Sequence, residues 1–199
     1  MPVVADLVSL CGMKNPLCSL AALSGLALLA GGASAADAWP EVAQPRAIVL
    51  FRHATAPGVG EPAGFKLDDC ATQRNLDDKG RAEARKLGEQ FRNRKIPVGA
   101  VLTSQWCRTR DTAKLAFGDA VKDEPVFNSS FRTSAEISDG QTAQARALLS
   151  GWRGPGALVV VTHQINITAL TGVNPASGEG VVVRAAADGA LKVLGTVKP

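Results

Sequence analysis

The sequence predicts an α/β fold: a three-layer αβα sandwich with a mostly parallel central sheet, helices on both faces and a C-terminal β-hairpin. Three observations predict it. Short apolar runs at 46–52, 98–104 and 157–163 read as buried strands. Helical patterns at 75–95 and 140–152 alternate with them. The closing stretch, 178–197, holds two apolar runs around Asp188-Gly189, a tight-turn pair.

The elements follow in chain order. "MKNPLCSLAALSGLALLAGGASAADAWPE" opens at Met13 with one Lys, runs through Leu and Ala, and offers "ASA" at 33–35. Basic, then apolar, then small is the pattern of a secretory signal. Residues 1–12 carry Asp6 and no basic residue, so the natural start is expected at Met13. Residues 1–36 are therefore expected to be a leader cut near Ala35 or Ala36, and residues 37–199 one domain. That places the product in the periplasm or outside the cell, with no stable membrane insertion after cleavage. An uncleaved anchor is the alternative.

"RAIVLFR" (46–52) is the first strand, and the stretch from Ala54 to Arg74, rich in Gly, Pro, Asp and Thr, is a long loop. "NLDDKGRAEARKLGEQFRNRK" is a helix capped by Asp77 or Asp78, with Ala84, Leu87, Gly88 and Phe91 as its inner stripe. "VGAVLTS" is the second strand, and Ser104 is placed to cap the helix that follows near Gln105. "GQTAQARALLSGW" is a helix with Ala145, Leu148, Leu149 and Trp152 inward, ended by "GPG" at 154–156. "ALVVVTH" is the third strand, followed by the short helix "INITALTG".

Composition excludes some functions. The net charge is +4, and three Trp, six Phe and no Tyr leave few rings to interleave with basic residues. Nucleic-acid binding is not expected. A small anionic substrate suits the same mild positive charge. Cys70 and Cys107 survive the leader, and they read as a disulfide or as two buried thiols. No CxxC or HxxxH spacing exists for zinc.

The strand ends carry the chemistry. The first run ends in Arg52-His53, the second in Ser104 with Arg108 one helical turn on, the third in Thr162-His163. His53 and His163 are the only histidines of the chain. In open α/β sheets ligands bind beyond the carboxyl ends of the strands, so neighbouring strands bring these groups to one rim. Guanidinium forks match phosphate oxygens, and a neutral imidazole is a nucleophile competent to attack phosphorus. Arginines there take the charge-neutralising role that magnesium has elsewhere, so neither metal nor other cofactor is expected.

"FRHATAPG", "LDDKGRAEARKLGEQFR", "SQWCRTRDTA" and "VVTHQ" resemble, in order and spacing, the histidine phosphatase superfamily of phosphoglycerate mutase-like fold. The resemblance implies a phosphomonoester hydrolase in which His53 is phosphorylated and Arg52, Arg108 and His163 hold the phosphoryl group. Length and leader resemble small exported phosphatases, including those assigned to lipopolysaccharide core heptose phosphate. Ala54 stands where the family has glycine, and Gln164 where one branch carries its acid. For the proton donor Glu136 is the nearest match, with Asp139 and Glu61 as rivals. Arg74 and Arg132 are candidates to reach substrate, though they read first as ordinary exposed arginines. A catalytically weak phosphate-binding sensor or scaffold, or a mutase, is the alternative function.

Overall fold

The computed structural model describes residues 37–199; the expected leader over 1–36, with its start and cleavage point, lies outside them. The first element is a short helix, α1 (Trp39–Val42), not foreseen from the sequence. Then come β1 (Ile48–Arg52), α2 (Asp78–Asn93), β2 (Val98–Thr103), α3 (Cys107–Phe117) and the three-residue β3 (Val121–Asp123). α4 (Ala135–Ser150), β4 (Ala157–Thr162), α5 (Gln164–Thr171), β5 (Gly180–Ala185) and β6 (Leu191–Val197) complete the chain. Among the described residues no helix is long and apolar enough to cross a membrane.

The strands form one six-stranded mixed sheet in the order β3-β2-β4-β1-β5-β6. β3, β2, β4 and β1 run parallel. β5 and β6 add the antiparallel hairpin. Its loop is closed by Ala186 N donating to Ala190 O, with Gly189 at φ 81°, where a side chain would be strained. Two apolar clusters separate the faces, because successive strand residues point to opposite sides. Val49, Phe51, Val159 and Val161 meet Leu87 and Phe91 of α2, Ala113 and Ala116 of α3, and Trp39 of α1. Ile48, Leu50, Leu158 and Val160 meet Ala145 and Leu149 of α4 and Ile167 and Leu170 of α5. Fully burying one such side chain stabilises the fold by about 1.5–3 kcal/mol.

Asp77 caps α2, its carboxylate accepting from Gly80 N at 2.7 Å. α4 starts at Ala135 rather than at 140, because the Ser134 hydroxyl accepts from Ile137 N and sets an earlier cap. The helix after β2 starts at Cys107, not near Gln105, and Ser104 does not cap it. β3 went unforeseen because three edge residues, Val121 half-buried and Lys122 and Asp123 exposed, carry too little pattern. Cys70 and Cys107 form a disulfide, Cα to Cα 5.7 Å, which ties the long loop to the start of α3. Gln73 adds to that tie, its side-chain oxygen accepting from Cys107 N at 3.0 Å.

Candidate active site

β2, β4 and β1 are adjacent, so their carboxyl ends bring Ser104, His163, Arg52 and His53 to one rim. A cavity of about 520 Å³ opens there, lined by both histidines, Arg52, Arg74, Arg108 and Glu61, with Arg132 at its lip. The two imidazoles lie edge to face with ring centres 5.7 Å apart.

His53 is fixed by backbone. Its Nδ1 lies 2.8 Å from Ala54 O. A carbonyl only accepts, so Nδ1 carries the proton and Nε2 keeps the lone pair. Ala54 is itself held, since its N–H donates to Thr112 Oγ1 at 3.1 Å and that hydroxyl donates to Arg108 O at 2.7 Å. Thr55 then donates through both its N–H and its hydroxyl to the Glu83 carboxylate of α2. α2 approaches closely: a Cβ on Gly80 would lie 2.0 Å from Thr55 O, so any side chain there would displace the loop behind the histidine.

His163 Nε2 lies 2.8 Å from Ser104 Oγ, and Arg108 Nη2 donates to its Nδ1 at 3.3 Å. Ser104 Oγ also accepts from Trp106 N at 3.2 Å. Ser104 is therefore the support of the second histidine, a role that its position before a helix concealed.

Burial and then the neighbouring Arg108 push His53 down from 6.5 to about 3. Burial, followed by Arg108, also lowers His163 well below its ordinary value. Both rings are thus neutral at physiological pH. Burial lowers Arg108 to about 10 against the opposing pull of Glu61, so it remains a cation. The sign follows directly: protonated His53 has no lone pair, and its neutral form persists down to about pH 3. We expect kcat/KM for an aryl phosphate, corrected for the substrate's own ionisation near pH ~6, to show no imidazole limb above pH 5. A residual acid limb centred at 6.5 would contradict a buried neutral imidazole at His53.

The four guanidiniums and single carboxylate of the lining leave three positive charges uncompensated. Arg52 Nε and Arg108 Nε are buried without a protein acceptor, an imbalance that a bound anion relieves. Arg52 is anchored through Nη1, which donates to Pro175 O at 3.1 Å. Arg74, read from the sequence as an ordinary exposed arginine, instead lies half-buried in the wall. Its Nε donates to Gly60 O at 2.9 Å and its Nη1 to Ala56 O, which clamps the 56–60 turn.

The carboxylate in the cavity is Glu61. It pairs with Arg108 Nη1, and its other oxygen accepts from Arg74 N at 3.0 Å. Glu136, the nearest match by spacing, is exposed on the first turn of α4 and does not line the cavity. The reason is geometric: the early cap at Ser134 puts Glu136 on an outward face. Asp139 is exposed as well. The signal for Glu61 was weak, one of three acids (with Asp68 and Asp69) inside a loop without periodicity. Among the described residues no group of three or more His, Cys, Asp or Glu is placed to hold a metal ion.

Residues 48–133 match the model of the Histidine phosphatase superfamily (branch 1). No curated protein matches the sequence. Solved structures share the fold. The product of open reading frame Rv3214 from Mycobacterium tuberculosis superposes with a TM-score of 0.58 at 15% identity, covering 76% of this chain and 97% of that one. A protein assigned as the phosphohistidine phosphatase SixA from Agrobacterium tumefaciens gives 0.54 at 18% identity, covering 78% and 99%. A mycobacterial glucosyl-3-phosphoglycerate phosphatase complexed with VO3 gives 0.55 at 17%, covering 77% and 100%. These likenesses establish the phosphoglycerate mutase-like fold.

Proposed function

We propose that this protein is a histidine phosphatase, an exported phosphomonoester hydrolase that works through phosphohistidine on His53 without a metal. One observation carries the reading: a neutral His53 whose Nε2 lone pair is fixed by Ala54 O, inside a cavity with three uncompensated positive charges. A site for binding alone has no use for a buried, uncharged imidazole among guanidiniums. The Cys70–Cys107 disulfide suits an oxidising compartment, in keeping with the expected leader and a periplasmic or secreted location.

The chemistry balances as two displacements. The His53 Nε2 lone pair forms the N–P bond as the P–O bond to the alcohol breaks, and the leaving oxygen takes a proton. Arg52 and Arg108 hold the phosphoryl oxygens and the charge spread over them in each transition state, and His163 joins them by turning its Nε2–H from Ser104 Oγ to an entering oxygen. Water then attacks phosphorus, the N–P electron pair returns to Nε2, and the water's proton passes to a base. Glu61 replaces Glu136 as the donor and later base, because it is the carboxylate that lines the cavity. The proton it donates enters with a monoanionic ester, whose phosphate then takes the place of Glu61 on the Arg108 guanidinium.

The test is turnover of an aryl phosphate with chelator present. Undiminished hydrolysis and inhibition by vanadate are expected. Loss with chelator and recovery with magnesium would overturn the arginine-based account.

An aryl oxide leaves without a proton, whereas an alkoxide needs one. Glu61→Gln is therefore expected to slow an alkyl phosphate by about a hundredfold and an aryl phosphate far less. Equal losses on both would assign Glu61 to binding or structure. Glu136→Gln is expected to leave both rates within about twofold, as for a surface change remote from the cavity.

A further inference from the structure

The rim of this cavity is unlike the rest of the surface. Among the described residues six large apolar side chains are exposed, and four of them, Val59, Phe65, Phe131 and Ile165, line this one opening. Single exposed apolar residues are ordinary on soluble proteins, but a cluster that rims a polar pocket marks a binding surface. The four come from three separate segments: the long loop, the turn before α4 and the first turn of α5.

The wall is continuous from the phosphate pocket outward. Trp106 lies edge to face against His163, with ring centres 5.4 Å apart. Phe65 continues outward from Trp106 at 5.9 Å and an interplanar angle of 34°. Across the opening, the Phe131 ring reaches to within 4.0 Å of where a Cβ on Gly60 would sit. The Arg132 guanidinium lies 5.3 Å from the centre of that ring. Ser129, Arg132 and Gln164 also line the opening, but rings and branched aliphatics make up most of the rest of its outer wall, a poorer match to a polyhydroxylated sugar or a glycerate than to an apolar group. The cavity of about 520 Å³ is far larger than a phosphate group requires, so most of it receives the alcohol.

We propose that the substrate is a small phosphomonoester whose alcohol carries an apolar body, aromatic or aliphatic, seated against Val59, Phe65, Trp106, Phe131 and Ile165. The assignment rests on the phosphatase reading above and specifies its leaving group. Phosphate enters the arginine-histidine pocket first, and the alcohol's body lies along the Trp106–Phe65 wall beneath Phe131.

The test compares primary alkyl phosphates, n-hexyl phosphate and 2-phenylethyl phosphate against glycerol 3-phosphate and ribose 5-phosphate; neighbouring oxygens make the polar pair the better leaving groups, so a lead by the apolar esters does not come from leaving-group acidity. Each methylene buried contributes about fourfold to kcat/KM, so the apolar esters are expected to lead by at least about tenfold. Val59→Ser combined with Phe131→Ser changes two exposed side chains, 92% and 50% accessible, that the fold does not need. It should shrink that ratio to below about threefold, while inhibition by vanadate reports an intact phosphate pocket. Equal kcat/KM for all four esters, a preference for glycerol 3-phosphate, or a ratio unmoved by the double variant overturns the apolar subsite and leaves the phosphatase reading intact. Hydrolysis of none of the four, nor of an aryl phosphate, overturns the phosphatase reading itself.

Discussion

His53→Ala is expected to abolish hydrolysis, with kcat on an aryl phosphate falling at least about a thousandfold, because the change removes the group proposed to bond to phosphorus. Arg52 and Arg108 stay in place, so the variant is expected to retain affinity for inorganic phosphate. The chemical signature is separate from the rate. Wild-type protein quenched during turnover should carry acid-labile, alkali-stable phosphate, as a phosphorus–nitrogen bond requires, and the variant none. Its geometry explains why no neighbour substitutes. His163 is neutral too, but its Nε2 faces Ser104 and its Nδ1 faces Arg108, so neither nitrogen is a free lone pair. Retention of more than a few per cent of activity in His53→Ala would falsify the covalent mechanism.

Arg108→Lys is expected to lower kcat/KM by roughly a hundred- to a thousandfold, the loss seen when one preorganised transition-state donor is removed. Arg108 is nearly fully buried and does three things at once: it pairs with Glu61, donates to His163 Nδ1 and supplies the charge that acts most strongly on both rings. An ammonium is a point charge and cannot span two phosphoryl oxygens while holding a carboxylate. The loss should fall on kcat as well as KM, since the phosphoryl charge that the fork neutralises is greatest in the transition state. A variant with raised KM and unchanged kcat would reduce Arg108 to a ground-state binding group.

Local pattern determined strands β1, β2, β4, β5 and β6, the cores of helices α2 to α5, and the histidines and arginines at the strand ends. Runs of alternating or continuous apolar residues specify strands whatever lies elsewhere in the chain, and α2 followed its Asp77 cap and its Ala84-Leu87-Gly88-Phe91 stripe closely. Histidine and arginine at three strand ends were legible because parallel neighbours share one carboxyl edge. Glu61, Arg74 and Ser104 were not legible in the same way. Each owes its place to a contact remote in sequence: Glu61 to Arg108, Ser104 to His163, and the loop that carries Arg74 to the disulfide at Cys107. A loop without periodicity encodes no direction of its own, so only packing decides which of its side chains faces inward. The same holds for Glu136, whose distance along the chain from Arg108 was suggestive and whose outward face was set by a cap two residues before it. The apolar rim is the plainest case. Val59, Phe65, Phe131 and Ile165 are single residues in three unrelated stretches, and only the fold makes them one surface.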